Sequence, residues 1–334
     1  MKKTLCALVM GATAFLGCSG KPNSPPVITS TPPKDIVVFT GEEFSYDVKA
    51  VDPDGEPLRY EFERRELHEL KFSKDPVFAI SHSFEEGKLR WTPKSQEYSS
   101  KIKVKVNDER GAYTTQEFDV YVVHLSRYIN FAQHNLYVAQ SAEFLEECNW
   151  YEAQEKAHKE KARIMTLKEY ADFLHFLDSD NVRDGLGNKL SKKEVEEIKN
   201  SIYDSRYKES YEWIDAAFEK KNGTFYLNQN HKFIDGKLTP NYSEILKKTF
   251  KSNWSVDVEE WLTNANSQGM PRQDAPQDPR TARYIEFLAP ENNNSVAKMG
   301  IRKARSGYLF AILDCNADPW KSKSSVVRLV YEKR

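Results

Sequence analysis

The chain is 334 residues long and carries 49 basic and 50 acidic side chains, for a formal net charge of -1. That length suits two domains with sizeable cores, and the balanced charge excludes a surface shaped for a polyanion, so nucleic acid is not an expected partner. Glycine is sparse at 14 residues, and there is no glycine-rich phosphate loop and no G-x-S-x-G elbow.

The chain opens with "MKKTLCALVMGATAFLGCSG": two lysines, an apolar run from about Leu5 to Leu16, and a small residue before a cysteine. This is the layout of a secretory signal. The run is too short to span a bilayer as a mature helix. Gly17 followed by Cys18 resembles the lipobox of bacterial lipoproteins, with a departure at Phe15 and Leu16, where that family prefers Leu and then a small residue. The resemblance implies a signal peptide over 1–17 and acylation of Cys18. More than one acyl chain, each buried methylene contributing about 0.8 kcal/mol, would anchor the protein to a membrane without spanning it. Ser19 after the cysteine is compatible in such lipoproteins with sorting to the outer membrane or cell surface. The alternative is an ordinary signal peptide whose apolar region ends in Cys.

Removing the signal removes Cys6, and lipidation uses Cys18, which leaves Cys148 and Cys315. Two cysteines in an exported chain predict one disulfide. It would close a loop of about 167 residues and contribute on the order of 5 kcal/mol at most. Two buried free thiols are the other reading.

Residues 18–34, with "SGKPNSPPVITSTPPKD", are rich in Pro, Ser and Thr and read as an extended tether. From Ile36 the pattern changes to short alternating runs: "DIVVFT", "EFSYDVKAV", "PLRYEFE", "KLRWTP", "KIKVKVND" and "TQEFDVYVVH". Turn pairs such as Asp54-Gly55 and Arg110-Gly111 punctuate them, and this predicts an antiparallel sandwich over 35–124. "NSPPVITSTP", "AVDPDGEPLRY", "LRWTP" and "VKVNDERGAYTTQEFDVYV" resemble the cadherin-like or immunoglobulin-like modules of bacterial surface proteins, nearly end to end over 25–124. Such modules act mainly as spacers and adhesion elements. The resemblance implies that Asp52, Asp54, Asp108 and Asn23 could supply oxygens to a calcium ion, but six to eight oxygens are hard to assemble from one domain's half-site. The commoner reading is that Asp54-Gly55 shapes a tight turn. No other cofactor is expected.

After His124 the composition becomes helical. "NWYEAQEKAHKEKARIMTLKEYADFLHFLD" places Trp150, Ala153, Ala157 and then Leu167, Tyr170, Phe173, Leu174 and Leu177 at three-and-four spacing. Ser191 and Glu194 form a capping box ahead of "VEEIKNSIYD". Three strand-like runs, "ARYIEFL", "GYLFAILD" and "SVVRLVYE", close the chain, so 125–334 reads as an α+β domain. The W-x-x-A helix, the "RIMT" segment, "YEWIDAAFEKKNGTFY" and the closing strands resemble the C-type-lectin-like fold in its broad bacterial sense, which includes formylglycine-generating-enzyme-like and Lcl-like domains. The calcium-lectin triplets are missing, since "APENNN" and "PQDPR" come in the wrong order. Cys148 and Cys315 read as a structural pair, not as the redox pair of the enzyme.

No zinc-like spacing links the seven histidines, which read as surface scatter. "DSDNVRDGLGNKLSKKE" fails as an EF-hand because Arg183, Gly185 and Gly187 fall at the first three ligand positions. Trp254, Tyr226, Trp320, Asn253, Asn264, Asn266 and Arg272 are the candidate ligand-binding residues, as stacking and hydrogen-bonding groups on or near irregular segments, whereas Trp213 and Trp261 read as core. The function these readings support is a noncatalytic binding or adhesion domain for a glycan or protein ligand, presented on a lipid anchor. The rivals are an envelope enzyme acting on polysaccharide or peptidoglycan, and a structural envelope component.

Overall fold

A computed structural model describes residues 22–66, 87–94, 99–141, 143–203, 211–247, 254–272, 284–288, 290–291, 293–303, 309–319 and 324–333. Residues 1–21 with Cys18, together with Asn253 and Trp320, lie outside the described residues. The described chain is mostly β-sheet, arranged in several sheets. Its described residues divide into two compact units: the first comprises those within 22–34, 43–91 and 100–119, the second those within 35–42, 92–99 and 120–333.

Up to residue 123 the strands are β1 (Val27–Ile28), β2 (Ile36–Phe39), β3 (Phe44–Asp47), β4 (Ala50–Val51), β5 (Arg59–Glu66), β6 (Lys88–Trp91), β7 (Ser100–Asn107) and β8 (Tyr113–Val123). In the first unit β1 pairs with β4, β3 with β6 and β5 with β7, all antiparallel. The period-two sequence explains the core: along β7 every second residue is buried, so Ile102, Val104 and Val106 point inward while Lys101, Lys103 and Lys105 point outward. Tyr46, Leu89 and Trp91 are buried in the same unit. Gly87 adopts φ +83°, and a Cβ there would lie 2.5 Å from the Val48 carbonyl oxygen, so that turn admits glycine alone.

The second unit continues with β9 (Tyr128–Phe131), β10 (Leu136–Ala139), β11 (Glu143–Cys148), α1 (Trp150–Lys159), β12 (Arg163–Ile164), α2 (Leu167–Phe176) and α3 (Lys192–Tyr203). Next come β13 (Tyr211–Lys221), β14 (Thr224–Ile234), β15 (Lys237–Ile245), β16 (Trp254–Asp257) and α4 (Val258–Asn264). It closes with β17 (Tyr284–Leu288), β18 (Ser295–Lys303), β19 (Leu309–Ala317), β20 (Ser324–Val327) and β21 (Leu329–Glu332). A small sheet runs β12-β21-β10-β9, and a large one runs β11-β20-β13-β18-β19-β17-β16, with β14 and β15 extending from β13. β2 lies parallel to the end of β8, Ile36 opposite Val120.

Capping starts all three long helices. Asn149 with Glu152 opens α1 and Thr166 with Glu169 opens α2, each as a reciprocal box. The expected Ser191 box is present too, with the Glu194 carboxylate accepting from the Ser191 amide at 2.7 Å and Ser191 Oγ accepting from the Glu194 amide at 3.2 Å. The apolar face read from the sequence, Leu167, Tyr170, Phe173, Leu174 and Leu177, is buried throughout. It packs with Ile198 of α3, Trp261 of α4, and Ile214 and Phe218 of β13 in one core cluster. Each such side chain contributes about 1.5–3 kcal/mol on burial. The expected disulfide is not formed: Cys148 and Cys315 are buried thiols that are not bonded to one another. They belong to separate clusters, Cys148 with Trp150, Trp213 and Val327, Cys315 with Leu313 and Met299, so their sulfurs do not meet.

Candidate functional site

β13 carries two acids in an otherwise apolar run, Glu212 and Asp215, and both are buried. A buried carboxylate needs partners. The Asp215 amide donates to the Met165 carbonyl at 2.8 Å, which ties the strand to the start of α2. β14 pairs with β13 as far as Ala216 opposite Gln229, and Asn230 then adopts a left-handed φ of 53°, a conformation Asn tolerates. This kink turns His231 onto Asp215.

Three N–H groups then converge on that one carboxylate. The His231 amide reaches Oδ2 at 2.8 Å, His231 Nδ1 reaches Oδ1 at 2.5 Å, and Gln154 Nε2 from α1 reaches Oδ1 at 3.0 Å. Asp215 is completely buried. The edge of Trp150 packs perpendicular to the His231 ring at 5.0 Å, and its indole N–H is held by the Ile214 carbonyl at 2.9 Å.

His231 forms part of the wall of a cleft of about 380 Å³ within the second unit. The His158 and Phe233 rings, 4.9 Å apart and tilted by 32°, also face it, with Lys232 and Gln154 beside them. Arg163 closes another side through two 2.7 Å bonds to the Glu169 carboxylate. Burial opposes both charges, but the Glu169 carboxylate raises the Arg163 guanidinium above its ordinary value, and Arg163 holds Glu169 below its own. Lys161 pairs with Asp35 at 2.6 Å across the same cleft.

Glu212 serves elsewhere. It accepts from Arg328 Nη2 at 2.7 Å and from the Tyr170 hydroxyl at 2.9 Å. Arg328 Nη1 also donates to the Ala139 and Gln140 carbonyls, both at 2.7 Å, so this fully buried group ties β10, β13 and α2 together. It sits in the one-residue break between β20 and β21, inside the run expected as a single strand. A second cleft, of about 560 Å³, lies between the end of α2 and the start of α3. Of its lining carboxylates, Asp178 and Glu196 pair with Lys199 at 2.6 and 3.2 Å, and Glu194 accepts from the Ser191 amide at 2.7 Å.

The residues singled out for ligand contact are dispersed. Tyr226 is half-buried on β14 beneath the Lys221 ammonium at 5.6 Å, and Trp254 begins β16 opposite Phe287. Asn264 donates to Glu260 at 2.8 Å at the end of α4. Asn266 builds the turn that follows, its side-chain oxygen accepting from the Gln268 and Met270 amides at 2.9 and 3.0 Å, and Arg272 lies exposed beyond it. None of these lines the His231 cleft. Trp213 and Trp261 are core residues as expected, each 1% exposed. The sequence reading missed Asp215, His231 and Gln154, and placed His231 among scattered surface histidines. The available signal was an acid in the middle of "YEWIDAAF".

In the first unit the aspartates of "DPDG" bond to main-chain amides. Asp52 Oδ1 accepts from the Asp54 and Glu56 amides at 2.8 and 3.1 Å, and Asp54 Oδ2 from the Ser24 amide at 2.7 Å. Asp108 accepts from the Ala112 amide at 2.8 Å and from Asn23 Nδ2 at 2.9 Å. Asn23 Oδ1, Asp52 Oδ2 and Glu56 Oε2 are buried there with no donor. Three oxygens fall short of the six to eight that calcium takes, and among the described residues no group of three or more His, Cys, Asp or Glu is placed to hold a metal ion. The Asp52 bonds to the Asp54 and Glu56 amides are those of a turn. Among the described residues no helix is long and apolar enough to cross a membrane.

No protein-family model and no curated protein matches the chain. Among solved structures, a nucleoside hydrolase-related hypothetical protein from Saccharophagus degradans aligns at 17% identity over 30% of this chain, with a TM-score of 0.23; the alignment spans 26% of that protein. The SrpA adhesin of Streptococcus sanguinis aligns at 14% identity over 68% of this chain and 93% of its own, with a TM-score of 0.21. SGBP-B of the Bacteroides ovatus mixed-linkage glucan utilization locus, solved with a mixed-linkage heptasaccharide, aligns at 11% identity over 91% of this chain and 71% of its own, also at 0.21. At TM-scores of this size none of the three fixes the fold.

Proposed function

We propose that this chain is an exported, lipid-anchored surface protein whose C-terminal unit binds a glycan or protein ligand without catalysis, with a cadherin-like or immunoglobulin-like sandwich as its spacer and a C-type-lectin-like fold in the terminal unit. Supporting the export and anchor is the signal layout ending in Gly17-Cys18. The observation that carries the binding role is the His231 cleft: a concave site with two rings in contact and fixed polar groups, in which no Ser, Thr or Cys stands among the lining residues to act as a nucleophile. Its lining acids, Asp35 and Glu332, are paired with Lys161 and Arg163 and do not form an acid and base facing one another.

Binding of the full chain to glycan arrays, envelope extracts and whole cells tests the reading. Ligand capture above background is the expected result, and none across all three overturns it. Cys18→Ala should move the protein from the membrane to the soluble fraction. The His231–Asp215 contact favours one rival, an envelope hydrolase in which the imidazole activates water. Turnover of envelope polysaccharide or ester substrates by the full chain, abolished in His231→Asn, would replace the binding reading.

A further inference from the structure

We propose that the His231 cleft is a carbohydrate site in which His231 Nε2 accepts a hydrogen bond from a ligand hydroxyl. This rests on the binding reading above and narrows its ligand to one class. A carboxylate oxygen accepts hydrogen bonds, so the 2.5 Å contact sets the ring hydrogen of His231 on Nδ1, and in the neutral ring Nε2 then carries the lone pair. The main-chain bond from His231 to the same carboxylate and the third bond from Gln154 lock that arrangement. The ring cannot turn away without stripping a donor from a fully buried charge.

Nε2 has no hydrogen-bond partner among the described residues, although His231 is a wall residue of the cleft. A lone acceptor fixed in tautomer and direction selects a donor from the ligand, and a site built around such a bond rejects analogues lacking the hydroxyl. The His158 and Phe233 rings, in contact with each other, add apolar surface in the same cleft, and Lys232 adds an exposed cation. Hydroxyls alternating with C–H faces are what a sugar ring presents. The cleft volume of about 380 Å³ lies in the small-ligand range of roughly 300–1,000 Å³, whereas a protein partner engages a broad surface of about 800 Å² per side.

The test titrates the full chain with neutral glucan, uronate and N-acetylated oligosaccharides by calorimetry, comparing wild type with His231→Asn and His231→Gln. Asn keeps an amide N–H toward Asp215 and loses the acceptor at the Nε2 position, while Gln returns an amide oxygen near it. One saccharide class should bind the wild type, His231→Asn should weaken it about tenfold, and His231→Gln should recover part of that loss. Ring-nitrogen NMR of the wild type removes any dependence on how the variants fold: the Nε2 resonance should move on saccharide addition and Nδ1 should not. Saccharide binding unchanged in His231→Asn, with Nε2 unmoved, overturns the inference and leaves the binding reading intact. Capture of a protein ligand with no saccharide binding does the same. No ligand of any kind overturns both.

Discussion

Both units bury polar groups, but the groups do different work. In the first unit Asp52 takes amides two and four residues ahead, Asp108 takes one four residues ahead and Asp54 takes the Ser24 amide, so these carboxylates are spent mainly on main-chain amides, with the Asn23 side chain added at Asp108. In the second unit Arg328 reaches Glu212 over 116 residues and Gln154 reaches Asp215 over 61, so the buried charges join elements remote in sequence. The difference teaches where a ligand site can be built. A carboxylate bonded to turn amides serves the main chain, while a carboxylate inside a sheet can hold a side chain from another strand in a fixed direction.

The largest effect should come from Arg328→Leu, which leaves Glu212 buried and uncompensated. Urea unfolding should show a loss of about 3–5 kcal/mol in the C-terminal unit, and a change near zero would break the contrast. Next is Glu169→Gln, which leaves the Arg163 fork without its charge partner and should cost about 2–3 kcal/mol at neutral pH.

That pair also sets a pH dependence. The folded pKa of Glu169 is lowered, and so is that of Asp172 beside His134 and Lys168, although burial pushes each upward. A carboxyl with a lowered folded pKa contributes stability that is present above its unfolded pKa and lost as pH falls through the folded one. Thermal melts across the acid range should therefore show falling stability below the ordinary carboxylate pKa, with a shallower slope in Glu169→Gln. An unchanged slope would remove Glu169 from the explanation.

Asp52→Ala deletes the acceptor of two turn amides and should cost about 1 kcal/mol, confined to the first unit. Added calcium should leave the melting temperature of the wild type unmoved; a rise at millimolar calcium would return the turn to its reading as an ion site. The smallest expected effect is none: a reductant should not alter stability, because both thiols are free and buried. Burial pushes the Cys148 and Cys315 thiols upward, so thiol reagents should act only on unfolded chain.

Much of the second unit's scaffold was readable in advance. The α2 stripe from Leu167 to Leu177, the Ser191–Glu194 box and the burial of Trp213 and Trp261 follow from periodicity and side-chain chemistry acting over a few residues. The candidate site was not readable. His231, Asp215 and Gln154 form no motif, and the element that joins them is a left-handed Asn230 that no spacing announces. The cysteines show the same limit: their number suggested a bond, but the two positions fall in different core clusters.

The sequence by itself determined the alternating strands, the capped helices and the turns, because each rests on interactions between residues close along the chain. Only the tertiary structure decided which charges meet. A buried ion pair or a histidine held by a carboxylate depends on direction and distance between strands far apart in sequence, and the residues that make it look, one at a time, like any other Asp, Gln or His.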